Sequence, residues 1–303
     1  MSKIVDLLII GAGPAGMTAA IYAQRARLEL MLLEKGGMSG GQVNLTYEVD
    51  NYPGLQGING FDLGLKFREH VEHLGVPIAD GDVQKIEKDG NLWKVTTDQG
   101  EYTTKTIIMA TGASHMKLNV PGEDELQGMG VSYCATCDGA FFKNKEVAVI
   151  GGGNVAVEDA VFLARNCKKV YLVHRRQELR ADKVAQEAFF SLPNVEPVWD
   201  SVVDSINGTS TTESVTVHNV ITGEVTTIPL QGVFVAVGIL PDNGLLKGIV
   251  ELDERGYAIA AEEGITSAPG IFVAGDLRTK ELRQIVTAVS DGANAVNSVQ
   301  RYL

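Results

Sequence analysis

The sequence predicts an α/β fold of two three-layered, parallel-sheet units, the second inserted into the first. Three observations carry that expectation. An apolar run, a glycine-rich turn and a small-residue helix occur in that order twice, opening at residue 4 and again at residue 146. Apolar runs of strand length alternate with helix-length segments, the pattern of βαβ units. A further strand and turn, residues 270–276, reads as part of the first unit although it follows the second.

In the first unit "IVDLLII", residues 4–10, suits a buried parallel strand and leads into Gly11-Ala12-Gly13-Pro14-Ala15-Gly16 and an alanine-rich helix. This is a G-x-G-x-x-G turn between strand and helix, the Rossmann-like dinucleotide-binding arrangement. Gly11 allows the tight turn, Gly13 lets the backbone approach a pyrophosphate, and Gly16 lets helix and strand pack closely. "LELMLLE" ends at Glu34, 23 positions after Gly11. A carboxylate there accepts hydrogen bonds from a ribose 2′-hydroxyl and repels a 2′-phosphate. "TIIMATGA", residues 106–113, is a strand running into a small-residue turn at Thr111 and Gly112. "GIFVAGD", residues 270–276, ends at Gly275 and Asp276, an acid placed to hold a sugar-like hydroxyl chain.

The second copy opens with "EVAVI", residues 146–150, and continues Gly151-Gly152-Gly153-Asn154-Val155-Ala156, with alanine in place of the third glycine. Here "KKVYLVHRR" reaches His174, 23 positions after Gly151, and no acid stands there. Instead His174, Arg175, Arg176 and Arg180 follow, and planar guanidinium groups suit a 2′-phosphate. The first site is therefore expected to hold a nucleotide with a free 2′-hydroxyl, and the second NADP. The expected boundaries are 1–115 with 243–303 for the first domain and 116–242 for the inserted one. "VPGEDELQG" and "GILPDNG", rich in Gly, Pro and acids, are read as the hinges.

A chain of 303 residues can bury two sizeable cores. Its 26 basic against 38 acidic residues give a net charge of -12, which disfavours nucleic acid and anionic membranes as partners. "LLIIGAGPAGMTAAIYAQ", residues 7–24, is uncharged and superficially like a membrane span or secretory signal. Gly11, Gly13, Pro14 and Gly16 interrupt it where a strand turns into a helix, so no membrane segment is expected. Three cysteines are too few for a disulfide scaffold, and a reducing cytoplasm is the expected location.

Two of those cysteines stand together in "SYCATCDG", residues 132–139. Zinc would need a second such pair or clustered histidines, and neither is present, so no metal is expected. Cys167 stands alone after a helical run, as a buried thiol does. A four-residue loop would make a poor structural staple. Redox exchange remains: a Cys134–Cys137 pair can open and close, and Asp138 can move protons if burial raises its pKa. Hydride does not pass favourably from a nicotinamide straight to a disulfide, whereas a flavin accepts hydride and reduces thiol pairs. The first nucleotide is thus most economically FAD. The dithiol precedes the second fingerprint and so belongs to the NADP domain. That domain must present both nicotinamide and disulfide to one flavin, which implies rotation about the two hinges.

"GAGPAG", "GGQ" at 40–42, "NYPG" at 51–54, "ATG", "CATCDG", "HRR" and "GDLRTKELRQ" at 275–284 resemble the low-molecular-weight, bacterial-type thioredoxin reductases, in order and over nearly the whole chain. The resemblance implies a homodimeric FAD enzyme that reduces thioredoxin with NADPH. It implies that Cys137 faces the flavin, that Cys134 attacks thioredoxin and that Asp138 is the acid–base residue. It also implies cofactor contacts at Glu34, Lys35, Gly41, Gln42, Asn51, Val83, Thr111, Gly112, Gly275, Asp276, Arg283, Gln284 and Ile285. The second site matches at Gly151, Gly153, Asn154, Val155, Ala156, residues 174–176 and Arg180. One departure is Val155, where such proteins commonly carry Ser or Thr. A ferredoxin-fed reductase, a flavin-dependent dithiol oxidase and a non-catalytic two-nucleotide sensor are the alternative readings. The intact His-Arg-Arg favours NADPH as donor, and a sensor has no need of the dithiol.

Overall fold

The computed structural model describes residues 4–46, 49 and 51–303. The chain divides into two compact units, Met1–Ser114 with Leu240–Leu303, and His115–Ile239. The first segment runs β1 (Ile4–Ile10), α1 (Pro14–Arg25), β2 (Leu30–Glu34), α2 (Gly60–His73), β3 (Ile78–Asp80), β4 (Val83–Asp89), β5 (Leu92–Thr97), β6 (Gly100–Met109) and β7 (Ala113–His115). The inserted unit runs β8 (Val131–Ser132), α3 (Ala135–Asp138), β9 (Glu146–Ile150), α4 (Asn154–Ala164), β10 (Lys169–Val173), α5 (Lys183–Phe190) and β11 (Val195–Val198). It closes with β12 (Ser201–Gly208), β13 (Thr212–Asn219), β14 (Val225–Pro229) and β15 (Gly232–Val235). The chain returns through β16 (Ile239–Pro241) to β17 (Ile271–Val273) and α6 (Ile285–Tyr302).

The discontinuous unit is built on a parallel core in the order β3-β2-β1-β6-β17. Strand β6 is long enough to serve two partners along one edge. Its last residues pair with β17, while its first pair antiparallel with β5, which in turn pairs with β4. Leu7 and Ile9 of β1 join the cluster that includes buried residues of α1 and α6, and Leu8 and Ile10 join the cluster on the opposite face. A strand covered on both faces has no polar side to display, which is why residues 7–10 read as a continuous apolar run. Helix α6 lies close against α1: a Cβ on Gly292 would stand 2.2 Å from the carbonyl oxygen of Ala15.

The inserted unit repeats the plan, with all-parallel pairing in the order β11-β10-β9-β15-β8. Val147 and Val149 of β9 face one core cluster and Ala148 and Ile150 the other. An antiparallel sheet β12-β13-β14 is separate from it. The two passages between units, β7 and β16, form a two-stranded sheet of their own. The "VPGEDELQG" stretch lies inside the inserted unit. There Glu123 is 1% exposed, and its carboxylate accepts hydrogen bonds from the backbone N–H groups of Leu118 and Asn119 and from the Tyr133 hydroxyl. The acids of this expected hinge thus include a buried anchor. Among the described residues no helix is long and apolar enough to cross a membrane.

Candidate active site

In the discontinuous unit the first glycine turn sits at the carboxyl end of β1. Gly11 has φ 102°, and a Cβ there would lie 2.5 Å from the carbonyl oxygen of Ala110, so β1, the turn and the end of β6 are in direct contact. Gly16 lets α1 approach, because a Cβ on it would meet the carbonyl oxygen of Gly11. Around Gly13 the space is open: a Cβ there would meet no atom within 4 Å. Helix α1 begins at that opening with Pro14 in its first turn and no side chain capping its N–H groups, so those donors are left for an anion. At the end of β2 the Glu34 carboxylate accepts from the Ala12 N–H at 2.5 Å. Burial pushes the Glu34 carboxyl above its usual range, against that hydrogen bond.

Two further segments converge on this turn. The Gly40 N–H donates to the Ala12 carbonyl oxygen at 2.7 Å, which brings Gly41 beside Gly13 and lets the Gln42 amide donate to the carbonyl oxygen of Ala113. The turn at Thr111 and Gly112 is tied to Asp242: the Thr111 hydroxyl donates to its carbonyl oxygen at 2.8 Å, and its N–H donates to Gly112 at 3.0 Å. From the far end of the chain, Gly275 comes against Ala15, and Asp276 follows. The Asn51 amide donates to the Gln284 side chain at 2.9 Å, and Gln284 caps α6 through a reciprocal box with Thr287. Ile285 packs on the small cluster of Val43, Val49 and Leu63. Val83 is buried in the core with Leu8 and Ile10, and the Lys35 side chain is exposed, 3.4 Å from Asp82.

Asp276 Oδ1, an acceptor 3.8 Å from Lys280 Nζ, and Arg283 Nε, a donor, are buried with no hydrogen-bond partner among the described residues. The Arg283 guanidinium lies over the Tyr257 ring at 4.1 Å from its centroid. Burial pushes the Asp276 carboxyl up, against the pull of Lys280 and Arg283. Behind Asp276 stands a charge network that no sequence motif announced. The Asp291 carboxylate accepts from Gly275 N–H at 3.0 Å, Arg278 Nε at 2.8 Å and Nη2 at 2.7 Å, and Lys280 Nζ at 2.8 Å. One carboxylate is saturated by the protein, and the next has an oxygen to spare for a ligand hydroxyl. The open space at Gly13, the uncapped α1, the acid at Glu34 and these orphaned groups together fit a dinucleotide with free ribose hydroxyls.

In the inserted unit the second glycine turn has the same form. A Cβ on Gly153 would meet nothing within 4 Å, and α4 starts there with no capping side chain. Val155 is 57% exposed in its first turn. Arg175, Arg176 and Arg180 are exposed, whereas His174 is 4% exposed, with its ring against Gly152. Burial holds the imidazole below its usual pKa, and the neighbouring arginines push the same way. The described residues thus place three arginines at the surface and a buried histidine beneath the turn.

Cys134 and Cys137 form a disulfide, with Cα atoms 5.3 Å apart. Cys134 stands at the N-cap of α3, and Cys137 lies within that short helix. Asp138, next in sequence, is half-buried, and burial raises its carboxyl above the usual range. Its Oδ2 accepts from the Ser132 hydroxyl at 2.6 Å, while Oδ1 has no partner among the described residues. Ser132 Oγ also accepts from the Cys134 N–H at 3.1 Å. One hydroxyl therefore links the acid to the backbone of the first cysteine. Sequence reading passed Ser132 over; only its place two residues before the C-x-x-C could have drawn notice. Among the described residues no group of three or more His, Cys, Asp or Glu is arranged to hold a metal ion.

The pyridine nucleotide-disulphide oxidoreductase family matches the chain over residues 5–292. A thioredoxin reductase of Listeria innocua is 45% identical over 302 residues, covering 99% of this chain and 94% of that protein. A thioredoxin reductase of Bacillus subtilis is 45% identical over 303 residues, covering 99% and 95% respectively. The crystal structure of thioredoxin reductase from Streptococcus pyogenes superimposes with a TM-score of 0.92 at 46% identity, covering 100% of this chain and 99% of that one. With two glycine turns and an adjacent cysteine pair matched along its length, this chain belongs to the pyridine nucleotide-disulphide oxidoreductase family.

Proposed function

We propose that the protein is a cytoplasmic, homodimeric thioredoxin reductase that takes electrons from NADPH and delivers them through FAD and the Cys134–Cys137 pair to the disulfide of thioredoxin. The observation that carries this reading is the closed disulfide at the start of α3 beside the half-satisfied carboxyl of Asp138. In it the discontinuous unit, residues 1–115 with 243–303, holds FAD. Gly11 through Gly16 would hold its pyrophosphate and Glu34 its adenosine ribose, while Asp276 and Arg283 would offer it an acceptor and a donor. The inserted unit, 116–242, holds NADPH at Gly151–Ala156 with its 2′-phosphate at Arg175, Arg176 and Arg180.

The flavin supplies the two-electron step between nicotinamide and disulfide. Two electrons and two protons then convert the disulfide to a dithiol. Asp138, whose carboxyl is raised by burial, gives a proton to the thiolate that departs, and its carboxylate takes one back when the pair is next used. The Cys134 thiolate attacks a thioredoxin sulfur to form a mixed disulfide. Cys137 then attacks Cys134, which reforms the pair and releases thioredoxin with two thiols. Rotation of the inserted unit about β7 and β16 lets nicotinamide and disulfide use one flavin in turn. The test is anaerobic titration with NADPH and then oxidised thioredoxin. The flavin absorbance should bleach on the first addition and return on the second; a spectrum that NADPH does not bleach rejects the donor.

A further inference from the structure

Asn154 opens α4 beside the open face of the second glycine turn, where its amide could face a nucleotide. Its amide is engaged elsewhere. Nδ2 donates to Asp182 Oδ2 at 2.7 Å, and Oδ1 accepts from the Asp182 N–H at 2.9 Å, closing a reciprocal pair between the start of α4 and the N-cap of α5, 28 positions apart. Asp182 stands at the N-cap of α5, the place where an Asp ordinarily caps its own helix. Here it makes no side-chain cap hydrogen bond, and its carboxylate turns to Asn154.

The segment held in this way is Leu179–Asp182. The Arg180 N–H donates to the Gly152 carbonyl oxygen at 2.7 Å. Gln186 of α5 donates to the carbonyl oxygens of Ala181 at 2.7 Å and Leu179 at 3.3 Å. Leu179 and Ala181 are buried, at 9% and 7% exposure, so the residue between them must point outward. That residue is Arg180. A long, flexible guanidinium is thereby anchored at its backbone, within hydrogen-bond reach of the turn that opens toward a ligand. An anchored arginine loses less freedom on binding a phosphate than one on a loose loop. The neighbouring Val155 offers no polar atom, which leaves recognition more dependent on the arginine end of the site.

We infer that Asn154 and Asp182 are positioning residues that set the preference for a 2′-phosphorylated nucleotide by holding Arg180 against the glycine turn. This rests on the NADPH reading above. It also gives the Asp182 carboxylate a partner, so that it does not compete with phosphate for the arginines.

The test is calorimetric binding of 2′,5′-ADP and of 5′-ADP, fragments with and without the 2′-phosphate, to the whole flavin-loaded protein. In Asn154→Ala and in Asp182→Ala the affinity for 2′,5′-ADP should fall about tenfold, the scale of one or two lost hydrogen bonds. In Asp182→Ala the affinity for 5′-ADP should change by less than about twofold, and Asp182→Asn, which still accepts from Asn154, should bind 2′,5′-ADP at least as well as the unmodified protein. Equal losses for both fragments, or no loss for either, would overturn the inference while leaving the donor assignment standing. A parent protein that binds the two fragments alike would overturn the donor assignment, and the inference with it.

Discussion

Replacing Ser132 with Ala should raise the pKa of Asp138 further and move the pH dependence of the dithiol chemistry with it. Two opposing influences act on that carboxyl: burial, the larger, favours the neutral acid, and the Ser132 hydroxyl favours the carboxylate. The bond is short, 2.6 Å, and Oδ1 has no other partner among the described residues, so the hydroxyl's loss goes uncompensated. A hydrogen bond to a charged group contributes about 1.5–3 kcal/mol. The ratio of acid to carboxylate at a given pH should therefore rise about tenfold to a hundredfold. The assay is infrared titration of the protonated carboxyl band, paired with single-turnover reduction of thioredoxin across pH. The step that needs the carboxylate should fail at a higher pH than in the parent, and Ser132→Thr should restore the parent profile. An unchanged carboxyl titration in Ser132→Ala would refute the reasoning, because the hydroxyl would then have no hold on the proton.

Three other outcomes are expected. Asp291→Asn should destabilise the discontinuous unit by about 3–5 kcal/mol, since it strips the charge from a carboxylate that is 4% exposed and leaves Arg278 and Lys280 under-compensated. Urea unfolding followed at Trp93, with Trp199 replaced by Phe, reads that unit alone. Asp159 of α4 is pushed up to about 7 from 3.8 by burial and by Glu158. Protonation of the folded state is thus favoured, and the stability it contributes is full below 3.8 and lost as pH rises toward 7. Asp159→Asn should accordingly gain stability over the parent at pH 8, by up to about 4 kcal/mol, and gain little at acid pH, as parallel urea titrations would show. Burial pushes the Cys167 thiol up to about 11, so a disulfide reagent should count two thiols in the reduced native protein and the third only after denaturation.

Both glycine turns, the strands before them and the helices after them were legible in the sequence because each rests on local chemistry: an apolar strand, a tight turn, a small-residue helix. The apolar stretch of residues 7–24 was correctly read as strand and helix because its glycines mark the turn between them. The Cys134–Cys137 pair was legible because its spacing allows a small ring and the sequence offers neither a second such pair nor clustered histidines for a metal. Side chains joined across distant elements were not. Asp291 lies on α6 and meets Arg278 and Lys280 from the turn after β17, and nothing in a linear pattern couples an acid to cations eleven and thirteen positions before it. His174 reads as one more member of a basic run, yet β10 ends by carrying its ring beneath Gly152, and only the arginines after it reach the surface. Glu123 shows the same limit from the other side. Its Gly- and Pro-rich neighbours suggest exposure, while its role is to tie three donors together in the interior.

The discontinuity of the larger unit bears on how the protein is made. During synthesis the carboxyl-terminal half of the β6 edge has no neighbour, and the face of α1 that packs on α6 has no cover, until β17 and α6 leave the ribosome. The inserted unit can complete its own sheet before then. A chain that stopped before Ile271 would pair a finished insert with an open, sticky edge, the form that chaperones and proteases recognise first.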